Sequence, residues 1–98
     1  MEVEWRRTDS ESLVHLFQEG EVRPESQNYN YKGRAHLSSD KIAKGNYSLL
    51  LENVTASDRG LYRCVVYTDL ESSEITCEIK NVCVYWLVHH RCWLSALT

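Results

Sequence analysis

The residues best equipped for chemistry in this chain are four cysteines, Cys64, Cys77, Cys83 and Cys92, and four histidines, His15, His36, His89 and His90. A thiol can close a disulfide, hold zinc, or attack as a nucleophile beside an imidazole. Zinc fingers and ribbons space their ligands in tight pairs, and Cys77, Cys83, His89 and Cys92 match no such spacing. Catalysis needs a nucleophile, a base and an orienting group that converge, and nothing in the sequence proposes that set. There is no glycine-rich run suited to phosphate either, so no enzyme, cofactor, small-molecule substrate or metal is expected. Disulfide chemistry is left, together with sugar attachment. Asn46-Tyr47-Ser48 and Asn53-Val54-Thr55 are both acceptor sequons for N-linked glycans.

These groups need elements to carry them, and the hydrophobic period is that of strands. In "VEWRR" (3–7), Val3 and Trp5 share one face and Glu4 and Arg6 the other. "LVHLFQ" (13–18) is a second strand, followed by a turn-rich connection through Gly20, Pro24 and Gly33. "RAHLS" (34–38) and "YSLLLENV" (47–54) read as a strand pair joined by a Gly45-Asn46 turn, with Leu49, Leu51 and Val54 inward. "LYRCVVY" (61–67) and "EITCEIK" (74–80) read as a hairpin in which Tyr62, Cys64, Val66, Ile75, Cys77 and Ile79 share a side. A turn centred between Leu70 and Glu71 would set Cys64 opposite Cys77. Either a Cys64–Cys77 bond or two inert buried thiols fits that placement. No segment carries a helical stripe.

Ninety-eight residues at 43% hydrophobic suffice for one core. Domains this small are often stapled when they work outside the cell, and four cysteines fit that setting. A net charge of -3, with lysines and arginines scattered, offers no field for nucleic acid. The opening "MEVEWRRTDS" has acids and no apolar core, so it does not read as a signal peptide.

Short antiparallel strands at this spacing point to an all-β sandwich. The stretch Asp58-x-Gly60-x-Tyr62-x-Cys64, with Trp5 upstream, resembles the V-set immunoglobulin domain. "VEWRR", "LVHLFQEG", "YKGRAHLSS" and "NVTASDRGLYRC" are similar, more narrowly, to the butyrophilin and myelin-oligodendrocyte-glycoprotein family. The resemblance implies that Tyr62 forms a tyrosine corner and that Arg34 pairs with Asp58 across one end of the sandwich. It also implies a partner for Cys64 on a strand preceding Trp5. Residues 1–80 then read as a partial V-set domain with strands C to G, cut before strand C, and 81–98 as an atypical tail. Losing that inter-sheet disulfide would cost about 2–5 kcal/mol, and a missing strand B would leave strand E open to other chains.

In the tail "NVCVYWLVHHRCWLSALT", the apolar run from Val82 to Val88 falls short of the about twenty residues that span a bilayer. A disordered or loosely docked segment is expected. Both sequons flank strand E, so glycans at Asn46 and Asn53 would cover one sheet and leave the other bare. The bare face is read as Glu4, Arg6, Leu13, His15, Phe17, Arg63, Val65 and Tyr67, a composition suited to binding protein. Leu13, Phe17 and Val65 equally suit packing against neighbouring strands. The resemblance implies a glycoprotein on the extracellular side of the plasma membrane, anchored by a segment outside this chain. It would modulate T-cell activation through a protein receptor on an immune cell. Homophilic adhesion through the same face, or a truncated product without a role, are the alternatives.

Overall fold

β1, Glu2–Arg7, alternates buried and half-buried residues, with Val3 and Trp5 wholly enclosed, as a strand with one face on a core should. The structure is a computed structural model that describes residues 1–79, 84–86 and 93–96. β2 (Leu13–Gln18) and β3 (Glu21–Val22) follow, then 3-10 turns at Pro24–Ser26 and Tyr29–Tyr31. β4 (Ala35–His36), the short helix α1 (Ser39–Ala43) and β5 (Leu49–Leu51) come next. A 3-10 turn at Ala56–Asp58 leads into β6 (Gly60–Tyr67) and β7 (Ser72–Ile79), and β8 (Val84–Trp86) and β9 (Trp93–Ala96) complete the order.

These strands form two sheets, one ordered β3-β2-β1-β6-β7 and the other β4-β5-β9-β8. All pairs in the first are antiparallel. Val3, Trp5, Val14, Phe17, Tyr62, Cys64, Val66, Ile75, Cys77 and Ile79 supply the core from that sheet, and Ala35, Leu49 and Leu51 supply it from the other. Leu49 and Leu51 have no exposed surface, and each such side chain contributes about 2 kcal/mol by leaving water. The expected inward set on 47–54 is therefore observed, Val54 included.

Four features depart from the sequence reading. Gly45-Asn46 is the end of α1 and not a hairpin turn. The Ser38 side chain accepts from the Lys41 amide at the helix start, and at its end Gly45 N donates to Ile42 O and Asn46 N to Lys41 O, with Gly45 at φ 80. That is a left-handed glycine cap satisfying the last carbonyls, and with only Ile42 buried such a helix leaves no stripe to read.

The second is a β-bulge. The register runs Trp5↔His15 and then Arg6↔Leu13, so Val14 and His15 together oppose Trp5. The extra residue inverts the alternation beyond it.

The third is the β6–β7 register, where Tyr67 faces Ser72, Cys64 faces Ile75 and Cys77 faces Tyr62. Thr68 sets it, its amide and hydroxyl both donating to Glu71 O and its hydroxyl accepting from the amides of Leu70 and Glu71. A turn centre one position earlier than expected slides the pairing by two residues, which keeps every side chain on its face but makes Cys64 and Cys77 diagonal neighbours. Diagonal positions lie about 7 Å apart, outside the usual reach of a disulfide, so the register does not favour the Cys64–Cys77 bond.

The fourth is the segment expected to be a loose tail. It contributes β8 and β9, which pair with each other, while β9 lies parallel to β5 through Leu49↔Leu94, Leu50↔Ser95 and Leu51↔Ala96.

Candidate binding face

One end of the sandwich is closed by a polar cluster that fixes the strands carrying the face. Arg34 donates from both terminal nitrogens to Asp58, 3.0 Å to each carboxylate oxygen, and also to the carbonyls of Asn30, Glu52 and Asn53. Burial alone would raise the Asp58 carboxyl. The Arg34 hydrogen bonds, the Thr55 amide and the charges of Arg34 and Arg7 outweigh it and hold the group below the usual carboxylate range. The Tyr62 hydroxyl donates to Asp58 O at 2.5 Å and meets the Tyr31 hydroxyl at 3.3 Å, the two rings standing edge to face.

Arg7 crosses the same end, donating to Ser57 O and Arg59 O with its guanidinium carbon 5.8 Å from the centre of the Tyr62 ring. Gly60 sits beneath it at φ 142, where a Cβ would come within 3.2 Å of Arg7 Nη2. Glycine is needed there for conformation and for room. Trp5, enclosed between the sheets, donates from Nε1 to Tyr47 O at 3.1 Å and lies opposite Cys64 on β6. Tyr31 and Arg7 were not singled out from the sequence. Both lie in stretches that resemble the family, YKGR and VEWRR, but the resemblance gave neither a role.

On the outer side of the five-stranded sheet the cross-strand register aligns Arg6 with Arg63 and Leu13, and Val65 with Glu4 and Glu74. Two ion pairs organise it: Arg6 to Glu4 at 2.8 Å and Arg63 to Glu11 at 2.6 Å. Arg6 also donates to Glu11 O, so the β1–β2 turn is tied to the face. The Arg63 hydrogen bond and charge lower the Glu11 carboxyl, burial opposing slightly. Tyr67 is exposed at the strand's end. Leu13 and Val65 belong to this side yet are buried, so they pack there rather than project.

His15 and Phe17 do not belong to the face, contrary to the sequence reading. The bulge turns both inward: Phe17 joins the core opposite Val3, and His15 is 4% exposed opposite Trp5. The His15 Nδ1 has no hydrogen-bond partner among the described residues. Burial, with a lesser push from His36, lowers its pKa to about 4, so the ring is neutral at physiological pH.

Asn46 and Asn53 bracket β5 in the other sheet. The Asn46 Oδ1 accepts from the Ser48 amide and hydroxyl. Asn53 is exposed in a left-handed conformation, φ 52, that asparagine tolerates. No helix among the described residues is long and apolar enough to cross a membrane.

The immunoglobulin V-set domain profile matches residues 1–86. Over 79 residues the chain is 32% identical to V-set domain-containing T-cell activation inhibitor 1 of Rattus norvegicus, covering 81% of this chain and 28% of that protein. It is 39% identical over 64 residues to butyrophilin subfamily 2 member A2 of Homo sapiens, covering 65% of this chain and 12% of that one. Myelin-oligodendrocyte glycoprotein of Homo sapiens is 34% identical over 80 residues, with 82% and 32% covered. The chain thus spans less than a third of the length of each.

Among solved structures, the human B7-H4 IgV-like domain superposes with a TM-score of 0.73 at 24% identity, over 99% of this chain and 71% of that one. Bovine butyrophilin superposes at 0.64 and 27% identity, over 99% and 40%. With its two-layer sandwich and its Tyr62 corner, the chain belongs to the immunoglobulin V-set domain family, and butyrophilins and myelin-oligodendrocyte glycoprotein are among its homologues.

Proposed function

We propose that this chain is a binding domain of a cell-surface glycoprotein that modulates T-cell activation, and that it acts by engaging a protein receptor on an immune cell rather than by catalysis. The outer side of the five-stranded sheet is the contact, with Arg6, Arg63 and Tyr67 as its anchors. One observation carries the reading. The exposed Tyr67 and the ion-paired Arg6 and Arg63 lie on the outer side of one sheet, whereas both sequon asparagines flank β5 of the other. Arginine and tyrosine are the residues that most often dominate protein interfaces, and a face clear of sugar is open to them. The likeness to V-set domain-containing T-cell activation inhibitor 1 supports the T-cell setting. The domain would work on the extracellular side of the plasma membrane.

The test is the chain immobilised on beads with activated T cells, read by proliferation and by binding to the cells. The intact chain should change proliferation, and Arg63→Glu with Tyr67→Ala should weaken cell binding at least tenfold while the circular dichroism spectrum is kept. Binding that survives these changes but is lost on altering the opposite sheet would overturn the proposal. A concentration-dependent dimer in sedimentation, abolished by the same changes and accompanied by no T-cell binding, would replace it with homophilic adhesion.

A further inference from the structure

β5 is three residues long and supplies Leu49 and Leu51 to the centre of the core. One of its edges pairs with β4. If the other were open, unpaired N–H and C=O groups would lie in the middle of a sheet, a template for any extended chain. Here that edge is taken by β9, and β9 runs parallel to β5, backed by antiparallel β8. Parallel neighbours cannot be joined by a tight turn, so the strand reaches this place from far along the chain. The pairing extends over three residue pairs, in the orientation that is slightly weaker per residue.

We infer that the β5 edge is a strand-acceptor site for extended polypeptide running parallel to β5, and that residues 93–96 of this chain are its occupant. The closing strand satisfies the edge within one molecule and denies it to other chains. Short parallel pairing makes the closure reversible, so opening it would expose an edge that recruits a second copy. The inference does not depend on the receptor reading, because it concerns the other sheet.

Two measurements on the full chain test it. Amide hydrogen exchange should show protection at the amides of Leu49–Leu51 that face β9, and Leu94→Pro with Ser95→Pro should speed their exchange at least tenfold while Trp5 and Cys64, in the other sheet, stay protected. The same variant should sediment as concentration-dependent oligomers. In parallel, Leu50→Cys with Ser95→Cys, in a chain carrying Cys83→Ser and Cys92→Ser, should form an intramolecular cross-link under mild oxidation. Neighbouring strands bring such positions to about 4.8 Å, whereas Val84→Cys, one strand further out, should not link to position 50. Open-chain exchange rates at Leu49–Leu51 in the parent, or no link between positions 50 and 95, would overturn the inference. The cross-link decides the matter should the proline variant lose its fold.

Discussion

Asp58 and His15 are both buried and titratable, and they make the molecule acid-sensitive in different pH windows. The Asp58 carboxyl is held below its ordinary value by Arg34 and the Thr55 amide against the cost of burial. Its stabilising effect is therefore complete above the unfolded carboxyl's pKa of about 4 and is lost as pH falls below that through the depressed folded value. His15 is the reverse case of a basic group kept neutral: its folded pKa of about 4 lies below the ordinary histidine value of about 6.5. Between those values the unfolded chain binds the proton and the folded one does not, so stability drops as pH falls from about 6.5 to about 4.

Urea unfolding as a function of pH separates the two. His15→Gln should flatten the upper window and leave the loss below about pH 4. Asp58→Asn should cost about 3 kcal/mol at pH 7, because it breaks a paired and hydrogen-bonded charge, and should flatten the lower window. Identical slopes in the parent and either variant would contradict the assignment.

At the scale of the element, Gly60 shows how one residue lets β6 begin where it does. Its φ of 142 is open to glycine alone at ordinary cost, and Arg7 Nη2 occupies the space a methyl would need. Because Arg7 is bound to Ser57 O, Arg59 O and Asp9, it cannot swing aside freely. Gly60→Ala should therefore destabilise by about 1–3 kcal/mol in thermal or chemical unfolding, and Arg7→Met should recover part of that loss in the double variant.

This corner was legible through the family resemblance, since Asp58, Gly60, Tyr62 and Cys64 stand at the V-set spacing, which implied the Tyr62 corner and the Arg34 contact to Asp58. The bulge was not. Val14 and His15 oppose Trp5 without any residue that marks an irregular ladder, so strict alternation put His15 and Phe17 on the wrong side. Nor was the β6–β7 register legible, because it rests on the Thr68 hydroxyl choosing its partners in a loop where several turn centres were equally polar. α1 escaped for a third reason: five residues contain too few turns to show a period. β9 was obscured because it pairs with the distant β5, which no local pattern encodes.

The whole molecule divides its surface between two sheets, and the division has a consequence for modification. Asn46 and Asn53 precede and follow β5, so sugars on either would stand over the four-stranded sheet and its ends, away from Arg6, Arg63 and Tyr67. Asn53 is exposed in a turn, and the Asn46 side chain is set close to Ser48, the hydroxyl residue of its own sequon. Expressed through a secretory pathway behind a signal sequence, the chain should carry a glycan at each position. Asn46→Gln and Asn53→Gln should each remove one glycan's mass, both mobility shifts collapsing with a glycosidase that cleaves the asparagine linkage. Arg34 donates to the Asn53 carbonyl and not to its side chain, so the second substitution keeps that bond, at the strain of a glutamine with positive φ. Because the proposed contact lies on the opposite sheet, removing both sugars should leave cell binding within about twofold of the parent, near the limit of what a few tenths of a kcal/mol produces. A tenfold loss on removing either glycan, with the fold intact, would put the binding surface on the β5 side and reverse the assignment of the two faces.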